Sequence, residues 1–157
     1  GGQMLMTDDL EEKWKQSAPE YMADAVPEVV DYPTVAIAWA AYLGMGVALL
    51  WDADWENNAQ SAETYRLFAT PRGFDAMDEY IMEEYFGVKP ESEEFVKIET
   101  YLRNAANTAI TFIRKEQIDP QSKEAYQIFA DAIAVFFKLG ASICLHRLGY
   151  KFHLQSN

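Results

Sequence analysis

Apolar residues recur along this chain mostly at three- and four-residue spacing, the period of a helix surface. The densest run is Pro33 to Trp55, and from Val35 to Trp51 seventeen residues pass without a charge. Steps of four trace the rows along a helix. One row is Trp39, Leu43, Val47, Trp51 and Trp55; the next is Ile37, Ala41, Met45, Leu49 and Ala53. A third, Ala36, Ala40, Gly44 and Ala48, has almost no side chain, so a second backbone can approach it closely. A helix apolar nearly all round is buried in protein or crosses a membrane. Seventeen residues is the lower end of the roughly 17–25 that a bilayer demands. Asp31 precedes the run, Asp52, Asp54 and Glu56 follow it, and neither end carries a Lys or Arg to orient it. The pattern predicts a buried central helix in a soluble bundle.

Weaker stripes flank it. Thr7 caps a first helix, and Ser17-Ala18-Pro19-Glu20 has capping-box spacing that predicts a restart. Ser61 caps a short segment to Ala69. Thr70-Pro71 reads as cap plus first position of a helix to Phe86, where Gly87, Val88 and Pro90 stop it. Ser92 starts a helix to about Gln117. Asp119-Pro120 starts the last one, which runs to about Leu148 with Tyr126, Phe129, Ile133, Phe136 and Phe137 in its stripe. No strand-like alternation appears. The expected fold is all-α: a single-domain helical bundle of five to seven helices over residues 1–157, with two apolar core helices. Residues 1–6 are expected to be an expression remnant or a disordered start, and 150–157 a short tail.

The two core helices echo each other. Ala36-Ile37-Ala38, Leu43-Gly44 and Leu49 match Ala132-Ile133-Ala134, Leu139-Gly140 and Leu145 at an offset of 96. Both helices thus carry a glycine at mid-length, and we expect Gly44 and Gly140 at helix–helix contacts.

Composition supports a folded domain. Of 157 residues half are apolar and 14% aromatic, which excludes a disordered chain. Cys144 is the sole cysteine, so no internal disulfide forms; with no leader-like pattern, a cytoplasmic location is expected. The net charge of −12 repels phosphate, so neither nucleic acid nor a membrane is expected as a partner. Residues 1–94 hold twenty acids and five bases, and residues 95–157 hold five acids and eight bases. That asymmetry suits attraction within the fold or an acidic face for a basic protein partner, and the excess apolar helix surface suits a homodimer.

Candidate chemistry is sparse. Asp52 and Glu56 are four apart on a helix face beside Trp55, so they can hold a hard cation or pair with Arg103, Arg114 or Arg147. Asp75, Asp78, Glu79 and Glu83 read as a solvated acidic face. Asn104, Asn107, Thr108 and Thr111 form a polar stripe expected to face solvent. Trp39, Tyr42 and Asn107, with Arg103, are the best lining for a small-molecule pocket. The candidate ligand-binding set is therefore Trp39, Tyr42, Asp52, Trp55, Glu56, Arg103 and Asn107, with no cofactor or metal evident. Cys144 and His146 are two apart, about 200° around a helix, so they form no nucleophile–base pair.

Glu91-x-x-Glu94 and Glu116-x-x-Asp119 are similar to the E-x-x-E…E-x-x-D signature of all-α nucleotide pyrophosphohydrolases of the MazG type. That resemblance implies magnesium-dependent hydrolysis. The spacing opposes it: Glu94 and Glu116 fall at opposite ends of one helix, roughly 33 Å apart at about 1.5 Å per residue. The leading expectation is a non-enzymatic interaction or regulatory module. A small-molecule or divalent-cation binding bundle comes second and a metal-dependent hydrolase third.

Overall fold

A computed structural model describes residues 7–28, 32–53, 64–115 and 122–148; for 7–10, 51–53 and 113–115 it describes the backbone. Among the described residues the chain is all-α. Six helices follow in order: α1 (Thr7–Ala25), α2 (Pro33–Ala53), α3 (Thr64–Ala69), α4 (Met77–Phe86), α5 (Glu93–Lys115) and α6 (Lys123–Arg147). Short 3-10 turns at Val26–Glu28 and Phe74–Ala76 adjoin α1 and α4.

Local chemistry sets several of the ends. Ser92 accepts from the Phe95 amide at 3.2 Å and Ser122 from the Ala125 amide at 3.0 Å, each satisfying an orphan donor of the first turn. At the exit of α4, Gly87 turns left-handed (φ 68°) and the Val88 amide reaches back to the Met82 carbonyl at 2.8 Å.

Two boundaries differ from the sequence expectation. No restart occurs at Ser17: α1 continues through Pro19. Trp14, Ser17, Tyr21 and Ala25 are all buried at helical spacing, and that burial outweighs the roughly 3 kcal/mol an interior proline costs. Conversely, α4 begins at Met77 and not at Pro71. Gly73 has φ +85°, which breaks the helical path, and the Thr70 hydroxyl donates back to the Arg66 carbonyl at 2.6 Å, closing α3 instead of opening α4. The last helix starts at Lys123; Asp119 and Pro120 lie outside the described residues.

The core is the pair α2 and α6. Thr34 donates to Asn107 at 2.9 Å and Tyr42 stacks near Phe95 (ring centroids 6.5 Å), so α5 runs antiparallel to α2. Glu94 pairs with Arg147, and Ile98 and Ile143 share a groove, so α5 is also antiparallel to α6. The two apolar helices therefore lie parallel. Their backbones meet at the two glycines. A Cβ on Gly44 would fall 1.9 Å from the Phe137 carbonyl oxygen, and one on Gly140 would fall 1.7 Å from that of Ala41. At the offset of 96, Ala41 corresponds to Phe137 and Gly44 to Gly140, so the two contacts are reciprocal.

Helix α1 covers this pair on one side. Trp14 packs on Phe137 (5.3 Å between centroids), the Tyr21 hydroxyl donates to the Ala36 carbonyl at 2.6 Å, and Glu11 pairs with Lys138. Helix α4 packs on α2 from another side, with Met77, Ile81 and Met82 fully buried.

Both α2 and α6 are long and apolar enough to cross a membrane by length and composition. Within the protein 72% of the apolar window Pro33–Leu50 is buried, against 44% for Lys123–Arg147.

Candidate functional site

The junction of α2, α4 and α5 brings Trp39, Tyr42 and the buried Asp78 into one region. Trp39, nearly two turns into α2, donates its indole N–H to the Asp75 carbonyl at 3.2 Å and so fixes the turn before α4. Its ring meets Tyr42 edge-on, at 5.4 Å and 82°. Beside them is a narrow cleft of about 30 Å³, lined by Thr34, Trp39, Tyr42, Glu99, Leu102 and Arg103. That volume admits about two water-sized species. Arg103 pairs with Glu99 at 3.5 Å along α5.

The Tyr42 hydroxyl is buried with no hydrogen-bond partner, and the residue is 1% exposed. Burial raises its pKa well above the ordinary tyrosine range, and the charges of Asp78 and Glu99 push it further while Arg103 opposes them. Asp78 is buried as well. Desolvation lifts its carboxyl from the ordinary 3.8 to about 7, aided by Glu79 and Glu99 and opposed by the Glu79 backbone N–H.

Of the residues singled out from sequence, Trp39, Tyr42 and Arg103 line the cleft, and Asn107 adjoins it by accepting from Thr34. Asp52 falls in the last turn of α2, but its side chain, Trp55 and Glu56 lie outside the described residues. The arginines considered for Asp52 have other partners: Arg103 holds Glu99, and Arg147 holds Glu94 at 2.8 Å. Arg114 falls among the residues described by backbone alone.

Asp78 corrects the expectation of a wholly solvated acidic face. It lies four residues after Phe74 and three and four before Ile81 and Met82, so it points with them to the core. That spacing was visible in the sequence and was masked by the neighbouring acids. Glu94, the first carboxylate pair's inner member in the pyrophosphohydrolase-like pattern, is bound to Arg147, which holds its pKa below the usual carboxylate range. Glu116 and Asp119 lie outside the described residues. Among the described residues no group of three His, Cys, Asp or Glu side chains could hold a metal ion.

A second feature lies on the outside. Ile98, Tyr101, Ala105, Ala109 and Phe112 follow one stripe of α5, and Ile128, Ala132, Val135, Leu139 and Ile143 follow one of α6, both at three- and four-residue steps. Tyr101 is 54%, Phe112 56% and Val135 60% exposed; the other residues of the stripes are half-buried. One end of each stripe, Ile98 and Ile143, enters a groove of about 550 Å³ that is also lined by Glu93, Glu94, Lys97, His146 and Arg147. The polar stripe Asn104, Asn107, Thr108 and Thr111 is exposed, as expected.

No family model, no characterised protein and no solved structure matches this chain.

Proposed function

We propose that this chain is a helical interaction module that pairs with a second copy of itself through the outer face of α5 and α6. The observation that supports the reading is the pair of apolar stripes on α5 and α6, which expose Tyr101, Phe112 and Val135 while Ile98, Ala105, Ala109, Ile128, Leu139 and Ile143 also pack against the core. Each stripe is about 21 Å long, and two helices side by side are about 20 Å wide. The apolar centre therefore covers roughly 400 Å² in plan, at the size of the largest patches monomers carry. Its polar rim of Lys97, Asn104, Thr108, Gln127 and Asp131 extends the face towards the roughly 800 Å² per partner of a standard interface.

Charge selects a second copy as the occupant. The chain carries −12, yet α5 holds three acids against four bases and α6 two against three. Two copies meeting here bring their least acidic surfaces together and keep the acidic α1 and α4 regions apart. A shared face on the acidic α1 or α4 region would set like charges against each other. Two such helix pairs facing across a two-fold axis form a four-helix layer.

Sedimentation equilibrium of the full chain tests this. The expected result is a dimer at tens of micromolar, converted to monomer by Val135→Glu with Phe112→Glu while helix content is retained. A wild-type monomer at several hundred micromolar would overturn the reading. So would stable association only with lipid vesicles or only with an acidic helical peptide.

A further inference from the structure

We infer that α4 is a pH-gated flap: ionisation of its buried Asp78 releases the helix from α2 while the rest of the bundle stays folded. Burial carries the first half of the argument. Asp78 is 5% exposed and shares the inner face of α4 with Met77, Ile81 and Met82, which are fully buried. A carboxylate in such a place needs a counter-charge. Among the described residues no cation pairs with it, because those on the elements around α4 have other partners. Arg103 of α5 holds Glu99, Arg66 of α3 holds Glu20, and Arg72 in the preceding turn holds Glu83 and Glu84. Helix α2 has no charge between Pro33 and Leu50 and offers only the Tyr42 hydroxyl. The acids Glu79 and Glu99 oppose a further negative charge. The side chain is therefore held inside as the acid and reaches water as the anion.

The backbone supplies the second half. The segment Phe74–Phe86 lies between Gly73 (φ 85°) and Gly87 (φ 68°), and nothing lies within 4 Å of either Cβ position. Both ends can pivot without a steric collision. The outer face already meets solvent at Asp75, Glu79 and Glu84. The inner face is held by Met77, Ile81 and Met82, by the Trp39 indole on the Asp75 carbonyl, and by Tyr85 on Phe68. Those contacts keep the open form a minor state, and ionisation multiplies its population.

The flap is separate from the outer face of α5 and α6, and the two readings fail independently. The test is native-state hydrogen exchange of the full chain at pH 5 and pH 8, read by mass spectrometry and corrected for the chemical exchange rate. Amides of Met77–Phe86 are expected to be at least tenfold less protected than those of Ala36–Ala48. Their protection should fall by about 50–100-fold from pH 5 to pH 8, the factor set by a carboxyl at the ordinary 3.8 when open and about 7 when closed. Asp78→Asn, which keeps the shape, should reduce the fall to less than threefold. Asp75→Asn, an exposed acid one turn away, should retain it in full. Equal protection of α4 and α2 at pH 8 would overturn the inference, because α4 would then leave only when the whole chain unfolds. So would α4 protection that is flat or rises with pH, or an undiminished fall in Asp78→Asn.

Discussion

Helices α2 and α6 are alike in sequence and unlike in use. Both are apolar over at least eighteen residues, both carry a mid-length glycine, and they meet at those glycines in reciprocal contact. Yet α2 is enclosed by α1, α4, α5 and α6, while α6 keeps one stripe outside. The more deeply buried of the two is also the less charged: α6 carries Asp131 and Lys138 within its length, whereas α2 has no charge before Asp52. What separates them is the number of neighbours the chain can wrap round each. Helix α2 sits between elements that precede and follow it, and α6 comes last among the described elements with fewer left to cover it.

The sharpest way to break the comparison is at its shared feature. Gly44→Leu or Gly140→Leu should abolish cooperative folding, because even a Cβ falls within 2 Å of a backbone carbonyl that cannot move aside. Gly87→Ala is the control. Nothing lies within 4 Å of its Cβ position, and it should cost only about 1–2 kcal/mol for its positive φ. Chemical denaturation followed by circular dichroism distinguishes the two outcomes.

Next in size is a matched pair of valines. Val47→Asp in α2 buries an unpaired carboxylate and should cost more than about 3 kcal/mol. Val135→Asp in α6 should change monomer stability by less than about 0.5 kcal/mol and act on association alone. A large loss at Val135 in the monomer would show that α6 is enclosed after all.

Asp78, on the α4 surface that seals α2, gives a comparable effect through pH. Its folded pKa of about 7 lies above the ordinary value, so the folded state holds the proton more tightly than the unfolded chain. Its contribution is fully present below about pH 4 and is lost as pH rises through 7, by about 3–4 kcal/mol in sodium buffer. Asp78→Asn should flatten this slope and stabilise the chain at pH 8. Urea unfolding across pH 4–8 measures both. A wild-type chain whose stability rises with pH over that range would refute the assignment.

The smallest effect is expected where α5 closes on α6. Glu94 and Arg147 form a two-pronged pair, 2.8 and 3.3 Å, with Arg147 also over the Phe86 ring at 5.3 Å. Both side chains are at least a third exposed, so Glu94→Gln should cost less than about 1 kcal/mol and the loss should shrink in high salt.

Much of this architecture was legible in the order of residues. The period of apolar positions named the class, the small-residue row marked the face where backbones meet, and Gly44 and Gly140 were readable as the crossing because only a residue without a side chain fits there. Ser92 and Gly87 marked helix ends through hydrogen bonds to their own neighbours, which are local and therefore sequence-encoded. Trp39, Tyr42 and Arg103, which line the narrow cleft, stood out by residue type, as did Asn107 beside it.

The rest was decided in three dimensions. Pro19 inside α1 and the late start of α4 at Met77 reflect burial and backbone path, which outweigh local signals. Asp78 looked like one acid among several until packing turned it inward beside Phe74, Ile81 and Met82. The Tyr42 hydroxyl became an orphan only when α4 and α5 closed over it. Composition set α2 apart by its uncharged run, against Asp131 and Lys138 inside α6, but only the tertiary arrangement decided which stripe of α6 stayed outside. Burial belongs to what surrounds a helix, and a helix does not carry its surroundings in its own sequence.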